Sequence, residues 1–311
     1  MFRFVGGVLL ALIISAASVA APPDAVDDTV DLTGNSAPAI LRTDTLFSGL
    51  DQPARRLAIR LDDGGRAVIW DNGFDADYGG APPANFSIYL QRYDKNGDQA
   101  GGRIDLLAGF DFSDVVGWSA SRDLSGSAAI LLVLEEDSGS GSTFSARHYD
   151  AAGGLVAGPV SLPVTDPGEM ELGGPGRAGR NEILALSNGN IVLFAEGGAS
   201  GDCCGIVSEV FTSTGTSVRS EFVVNTTRSN AQSNPSGIAL PGGGFVLSWT
   251  DFSATAPDTS SGGTNAGAVR AQVFDNAGLA AGSEILVNTT YANGQTDPVV
   301  QSTADGGFLI V

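Results

Sequence analysis

Asp94, Asn96 and Asp98 in the run "QRYDKNGDQAG" (91 to 101) stand at i, i+2 and i+4, the spacing with which an EF-hand-type loop begins to wrap calcium. The pattern decays beyond that point. Position six is Gln99 where the sharp turn needs Gly, and position twelve is Asp105 where a bidentate Glu belongs. A second set of carboxylates recurs more regularly. Asp71, the pair Glu135 and Glu136, Glu196, and Asp251 each close a dense β-forming run, and the segments that follow add Asp75, Asp77, Asp137, Asp202 and Asp258. Stacked radially, such ends would make an acidic rim able to attract Ca²⁺ or cationic material. Strand ends that meet solvent also favour acids on their own account, so no catalytic, cofactor or metal residue is assigned from this pattern.

Other catalytic constellations are scarce. His148 is the sole histidine, which excludes a two-histidine zinc site and leaves any Ser-His-Asp triad dependent on that residue. No G-x-S-x-G, Walker A or Rossmann glycine pattern occurs. Paired acids from distant segments could support glycoside hydrolysis, although no pair is named by spacing. Trp70, Trp118 and Trp249 are the residues best able to stack on sugar rings. Trp70 and Trp249 share one repeat position, however, and packing between units is their expected role. Asn85, Asn225 and Asn288 satisfy N-x-[ST].

The elements that must position these groups form an internal repeat. "EFVVNTT" (221 to 227) returns as "EILVNTT" (284 to 290), and "SNPSGIALPGGGFVLSW" returns as "TDPVVQSTADGGFLIV", both 63 residues on. An aromatic residue, a short turn and a Gly recur at Tyr93, Tyr149, Phe211 and Phe274, in "YDKNG", "YDAAG", "FTSTG" and "FDNAG". Gly-rich or Asn-Gly turns alternate with them, each leading into a β-forming run such as "GGRAVIW" or "GGGFVLSW", as hairpins require. Each unit therefore holds four antiparallel strands in about 55 to 63 residues, a size that must bury its faces against neighbours. The expected fold is all-β, a β-propeller with units near 45–107, 108–164, 165–227 and 228–290 and a partial unit at 291–311. Tandem sandwiches are the competing arrangement. Aligned on this repeat, the turn at 94–98 keeps its Asp and Gly, whereas Asn96, Asp98 and Lys95, the sole lysine, are local; turn chemistry explains what is shared.

Residues 1–20, with Arg3 ahead of an apolar run ending in small residues, read as a signal peptide cut after Ala20, and 21–44 as a leader. The mature chain would be 311 − 20 = 291 residues, secreted or at the cell surface, with no further stretch long enough to span a bilayer. A net charge of −19 excludes nucleic acid as a partner. Gly at 43 residues and only 16% charged residues fit short strands and many turns. Cys203 and Cys204 are adjacent and cannot staple distant strands; a vicinal disulfide, two thiols or an intermolecular link all stay open.

The pair "EFVVNTTRSNAQSNPSGIALPGGGFVLSWTD" and "EILVNTTYANGQTDPVVQSTADGGFLIV" resembles the tandem repeats of large exported bacterial proteins of the RTX-like, calcium-associated type. That resemblance covers 221–311 well and earlier units diffusely. It implies an extracellular bacterial repeat protein. The repeated core and the lack of a catalytic constellation within the repeats give the main expectation, a noncatalytic, secreted, adhesin-like module binding a polysaccharide, cell-surface or protein ligand, with weak calcium association. The nonapeptide G-G-x-G-x-D of such proteins is absent, so no calcium ligand carries over. The alternative expectation is a carbohydrate-active propeller enzyme that uses acidic loop residues.

Overall fold

The glycine turns and β-branched runs fold in the computed structural model as eighteen strands, with no helix among the described residues. Those residues are 56–71, 86–108, 115–168, 170, 172, 182–198, 204–253, 267–289, 294–303 and 305–311. Residues 1–20 and 21–44, expected to be a signal peptide and a leader, lie outside them, as do Asp75, Asp77, Asn85, Asp202, Cys203 and Asp258.

Four sheets each hold four antiparallel strands in chain order. The first contains β1 (Arg56–Arg60), β2 (Arg66–Asp71), β3 (Ile88–Tyr93) and β4 (Ile104–Asp105), and the second contains β5 (Val115–Arg122), β6 (Ile130–Asp137), β7 (Ser142–Tyr149) and β8 (Leu155–Leu162). The third contains β9 (Ile183–Ala185), β10 (Ile191–Gly197), β11 (Gly205–Phe211) and β12 (Ser217–Val223). The fourth contains β13 (Gln232–Ala239), β14 (Phe245–Asp251), β15 (Ala268–Phe274) and β16 (Ile285–Leu286), and β17 (Val300–Ser302) pairs with β18 (Phe308–Ile310) in a fifth, two-stranded sheet.

The first strands β1, β5, β9, β13 and β17 lie beside one another in succession. Each sheet therefore has its first strand innermost and its fourth outermost, which is blade geometry. The repeat folds as a β-propeller and not as an array of sandwiches.

Successive blades bury one another through alternating side chains. In β10, Ile191, Leu193 and Ala195 face back into the core shared with Leu131 and Val133 of the second sheet. Val192 and Phe194 face forward into the core shared with Phe245, Leu247 and Trp249 of the fourth. Equivalent cores join the first sheet to the second and the fourth to the fifth. Each such fully buried Leu, Val or Phe is worth about 1.5–3 kcal/mol, and this stacking compensates for the marginal stability of isolated hairpins. Tyr149 adds a polar tie between blades: its hydroxyl donates to the Leu106 carbonyl at 2.7 Å, and burial pushes the phenol up to about 12.

Antiparallel order puts the turns joining first to second and third to fourth strands on one face, the turn face. The ends of the second and fourth strands and the starts of the first and third lie on the other, the loop face. The 94–98 segment is on the turn face and is one of four copies of the same turn. Asp94 Oδ1 accepts the N–H groups of Asn96 and Asp98 at 2.8 and 2.9 Å. Asp150 and Asp275 accept the matching pairs, and Thr212 does so through its hydroxyl. The N–H groups of Asp98 and Asn96 hold the Asp94 carboxyl below the usual carboxylate range, so its charge serves the turn.

Two turn glycines are sterically required. A Cβ on Gly244 (φ +80°) would stand 2.2 Å from the Phe274 carbonyl oxygen, and one on Gly215 (φ +81°) would stand 2.1 Å from that of Ser161.

Candidate functional site

Strand register aligns the loop-face ends of the second strands. Asp71 lies opposite Ile88, Glu135 opposite Phe144, Glu196 opposite Ile206 and Thr250 opposite Val269, one equivalent position in four blades. All four side chains face forward and accept a hydrogen bond from the next blade. Asp71 Oδ2 receives Trp118 Nε1 at 3.0 Å, and Glu135 Oε2 receives the Leu172 N–H at 2.9 Å. Glu196 Oε1 receives the Asn234 N–H at 2.7 Å, and Thr250 Oγ1 receives the Asp297 N–H at 3.0 Å. The recurring acid is therefore an interblade latch, and a neutral hydroxyl fills the role in the fourth blade.

The acidic rim expected at these ends takes a different form. Asp71 and Glu135 are buried, whereas Glu196 is half-buried. Asp251, expected in the same series, sits one residue further and points backward.

There Asp251 belongs to a closed ring of hydrogen bonds between the third and fourth blades. Asn225 Nδ2 donates to Gln232 Oε1 at 2.8 Å, and Gln232 Nε2 donates to Asp251 Oδ1 at 3.3 Å. Arg270 then links Asp251 Oδ2 through Nε at 2.5 Å to Glu284 Oε1 through Nη1 at 3.0 Å. Glu284 returns to the start by accepting Thr226 N–H at 2.6 Å and the hydroxyls of Thr226 and Thr227 at 2.9 and 2.7 Å. Asn225 also caps β11, its Oδ1 receiving the Ile206 N–H at 2.8 Å. Asn288 repeats both contacts with Val269 and Gln295. The repeated "VNTT" and the Gln seven residues after its Asn are thus packing hardware, and the Asn225 sequon is buried. Asn225→Ala should lower stability by about 1–3 kcal/mol, because it strands buried partners; chemical denaturation measures this.

One carboxylate breaks the pattern of the blades. Glu182 enters the innermost strand of the third blade, its carbonyl accepting the Phe194 N–H at 3.0 Å. Register continues Leu193↔Ile183, so Glu182 lies opposite Phe194. The matching residues in neighbouring blades are Ser119, opposite Val133, and Ser236, opposite Ser248. Both serines take an N–H from the following blade, Ser119 from Glu182 at 3.1 Å and Ser236 from Val300 at 3.2 Å. The third blade has a buried carboxylate where its neighbours use a hydroxyl.

Glu196 follows Phe194 by two residues on the same forward face. Glu182 and Glu196 are therefore diagonal neighbours on adjacent strands, a relation that separates backbones by roughly 7–8 Å and side chains by somewhat less. Two carboxyls at such spacing can divide acid and base roles around one scissile bond. Sequence spacing missed Glu182 because it precedes the glycine turn, in "GRNEILAL", whereas the recurrent acids were sought after that turn.

The other candidates lie elsewhere. His148 is buried beside the turn face with Nδ1 2.6 Å from Asp123 Oδ2, and its Nε2 has no partner, so no serine is joined to it. Burial raises the Asp123 carboxyl, but hydrogen bonds from His148 and Ser125 outweigh this and hold it below its ordinary value. A depressed carboxylate contributes stability above its unfolded pKa of about 3.9 and loses it as pH falls through the folded value. Between pH 5 and 2, Tm should consequently fall further for the native protein than for Asp123→Asn; parallel slopes in scanning calorimetry would refute this.

Trp70, Trp118 and Trp249 are all buried between or within blades, so packing is their role, with Trp118 also a latch donor. Cys204 opens the third strand of its blade, its carbonyl accepting the Gln232 N–H at 2.7 Å. Among the described residues no three His, Cys, Asp or Glu gather to hold a metal ion, and no helix is long and apolar enough to cross a membrane.

No protein-family model and no curated protein matches the chain. Solved structures similar to it include an endo-arabinase from Bacteroides thetaiotaomicron, at 13% identity and TM-score 0.43, covering 84% of this chain and 89% of that one. A GH93 α-L-arabinofuranosidase of Fusarium graminearum, in complex with arabinobiose, is 12% identical with TM-score 0.49, covering 85% and 76%. The catalytic domain of a GH62 α-L-arabinofuranosidase from Coprinopsis cinerea is 10% identical with TM-score 0.40, covering 81% and 73%. At such identities no residue, substrate or activity transfers. The expectation of a noncatalytic, RTX-like adhesion module is not met among these structures, all three of which are glycosidases.

Proposed function

We propose that the chain is a carbohydrate-active β-propeller that hydrolyses glycosidic bonds of a polysaccharide on its loop face, at the junction of the third and fourth blades. The observation that carries this reading is the carboxylate pair Glu182 and Glu196 on one face of one blade, with Glu182 standing where neighbouring blades need only Ser. Glycoside hydrolysis asks one carboxyl to protonate the leaving oxygen and a second to act as base or nucleophile. Glu196, half-buried at the strand end, is the group that meets the sugar, and Glu182 lies beneath it.

Segregation of the other titratable groups supports the same chemistry. His148 and Lys95 are both at the turn face, so beside the Cys204 thiol the described acid–base groups at this junction are carboxylates. The buried tryptophans offer no stacking platform there, and hydrogen bonds would orient the glycan.

The test is a polysaccharide panel that includes arabinan, xylan and β-glucan, with reducing-end release and affinity electrophoresis read separately. Cleavage of at least one polymer by the native protein, abolished in Glu196→Gln with binding retained, is the expected result. Absence of cleavage across the panel, or full turnover by Glu196→Gln, would overturn the proposal.

A further inference from the structure

Asn234 is a non-glycine residue in the left-handed region, with φ 55°, and precedes Pro235. Its structural counterpart, Asp297 before Pro298, has φ 59°. Left-handed backbone is unfavourable for most side chains, and Asn and Asp are the usual exceptions. Both residues use the conformation for one purpose. Each turns its N–H onto the latch side chain of the preceding blade, Asn234 onto Glu196 Oε1 at 2.7 Å and Asp297 onto Thr250 Oγ1 at 3.0 Å.

The latch between the fourth and fifth blades therefore terminates on a neutral hydroxyl, whereas the one between the third and fourth terminates on a carboxylate. A hydrogen bond to a charged acceptor is shorter and stronger than its neutral counterpart, as the two lengths illustrate. It also fixes one carboxylate oxygen, and with it the rotamer of the side chain.

From this geometry we infer that Asn234 is a positioning residue for the hydrolytic reaction: its left-handed backbone holds Glu196 in the orientation that acts on the sugar, and its side chain is dispensable for that task. The inference rests on the role given to Glu196 above. It predicts which replacements succeed. Glycine adopts positive φ freely and keeps the N–H, so Asn234→Gly preserves the hydrogen bond while removing the amide. Alanine keeps the N–H but resists the conformation, and a β-branched residue resists it more.

The experiment measures kcat and KM for Asn234→Gly, Asn234→Ala and Asn234→Val beside Glu196→Gln on the polysaccharide that the native protein cleaves, with Tm recorded for each. Asn234→Gly should keep kcat within about 2-fold, whereas Asn234→Ala should lose about 10-fold or more in kcat with KM little changed, and Asn234→Val more again. A purely structural latch would lower Tm across the series and leave the kcat of the folded fraction untouched.

Loss of kcat in Asn234→Gly equal to that in Asn234→Ala would overturn the inference by assigning the effect to the amide. Native kcat in Asn234→Ala beside an inactive Glu196→Gln would overturn it while leaving the proposed function standing. Native turnover in Glu196→Gln would instead remove the proposed function and this inference together.

Discussion

Arg270→Met should cost about 3–5 kcal/mol of folding stability, the range for breaking one side of a buried ion pair. Its guanidinium bridges Asp251, whose side chain is fully buried, and Glu284, which is 5% exposed. Methionine fills similar volume, so packing is largely conserved, and two carboxylates lose their cation where water cannot replace it. Glu284 holds the 226–227 connection through its two oxygens, so its disturbance spreads to the link between blades. Urea denaturation measures the effect. Adding Asp251→Asn to Arg270→Met should recover part of the loss, because the uncompensated charge is then removed with its partner. A single-variant change below about 1 kcal/mol would mean that water or rearrangement replaces the ring at little cost.

Replacing Glu196 by Gln should lower kcat by about 10²–10⁴-fold, the span attributed to one general acid or base, with stability nearly unchanged. Glutamine keeps a carbonyl oxygen for the Asn234 N–H, so the latch survives the loss of the ionisable group. The fold supplies its own controls. Asp71→Asn and Glu135→Gln alter the same latch position in blades that lack a second carboxyl opposite, and should leave turnover within about 2-fold. Glu182→Ser installs the residue that the neighbouring blades carry, and should keep the fold and lose activity as Glu196→Gln does. If Glu135→Gln proved as damaging as Glu196→Gln at equal Tm, the third and fourth blades would have no special claim to the chemistry.

Much of the architecture is legible in the sequence because its causes are local. The Asp or Thr that opens each turn at 94, 150, 212 and 275 and the Gly that closes it satisfy backbone groups within five residues, and they survive while intervening loops vary. The aromatic positions and Trp70 with Trp249 follow the same logic of strand and turn. What decides the site is non-local. Asp71, Glu135 and Glu196 gain their meaning from donors contributed by the next blade, at Trp118, Leu172 and Asn234, whose distances along the chain differ. Asp251 falls out of that series by one residue, and a one-residue step turns a side chain to the opposite face. Glu182 is less legible still, since a short innermost strand of three residues, Ile183–Ala185, gives almost no alternation from which to infer a face.

The latches also have a direction in time. In each of the four, the acceptor belongs to the earlier blade and the donor to the later one. A ribosome therefore delivers every acceptor before its donor exists. While the chain grows, the newest completed blade carries an Asp, Glu or Thr whose hydration must be surrendered when the following blade docks. Three of these acceptors are carboxylates, so charge at the growing end opposes premature contact between unfinished chains. The order of the latches thus matches the order of synthesis, and Asp71 and Glu135, buried in the finished fold, would face water until the following blade is made.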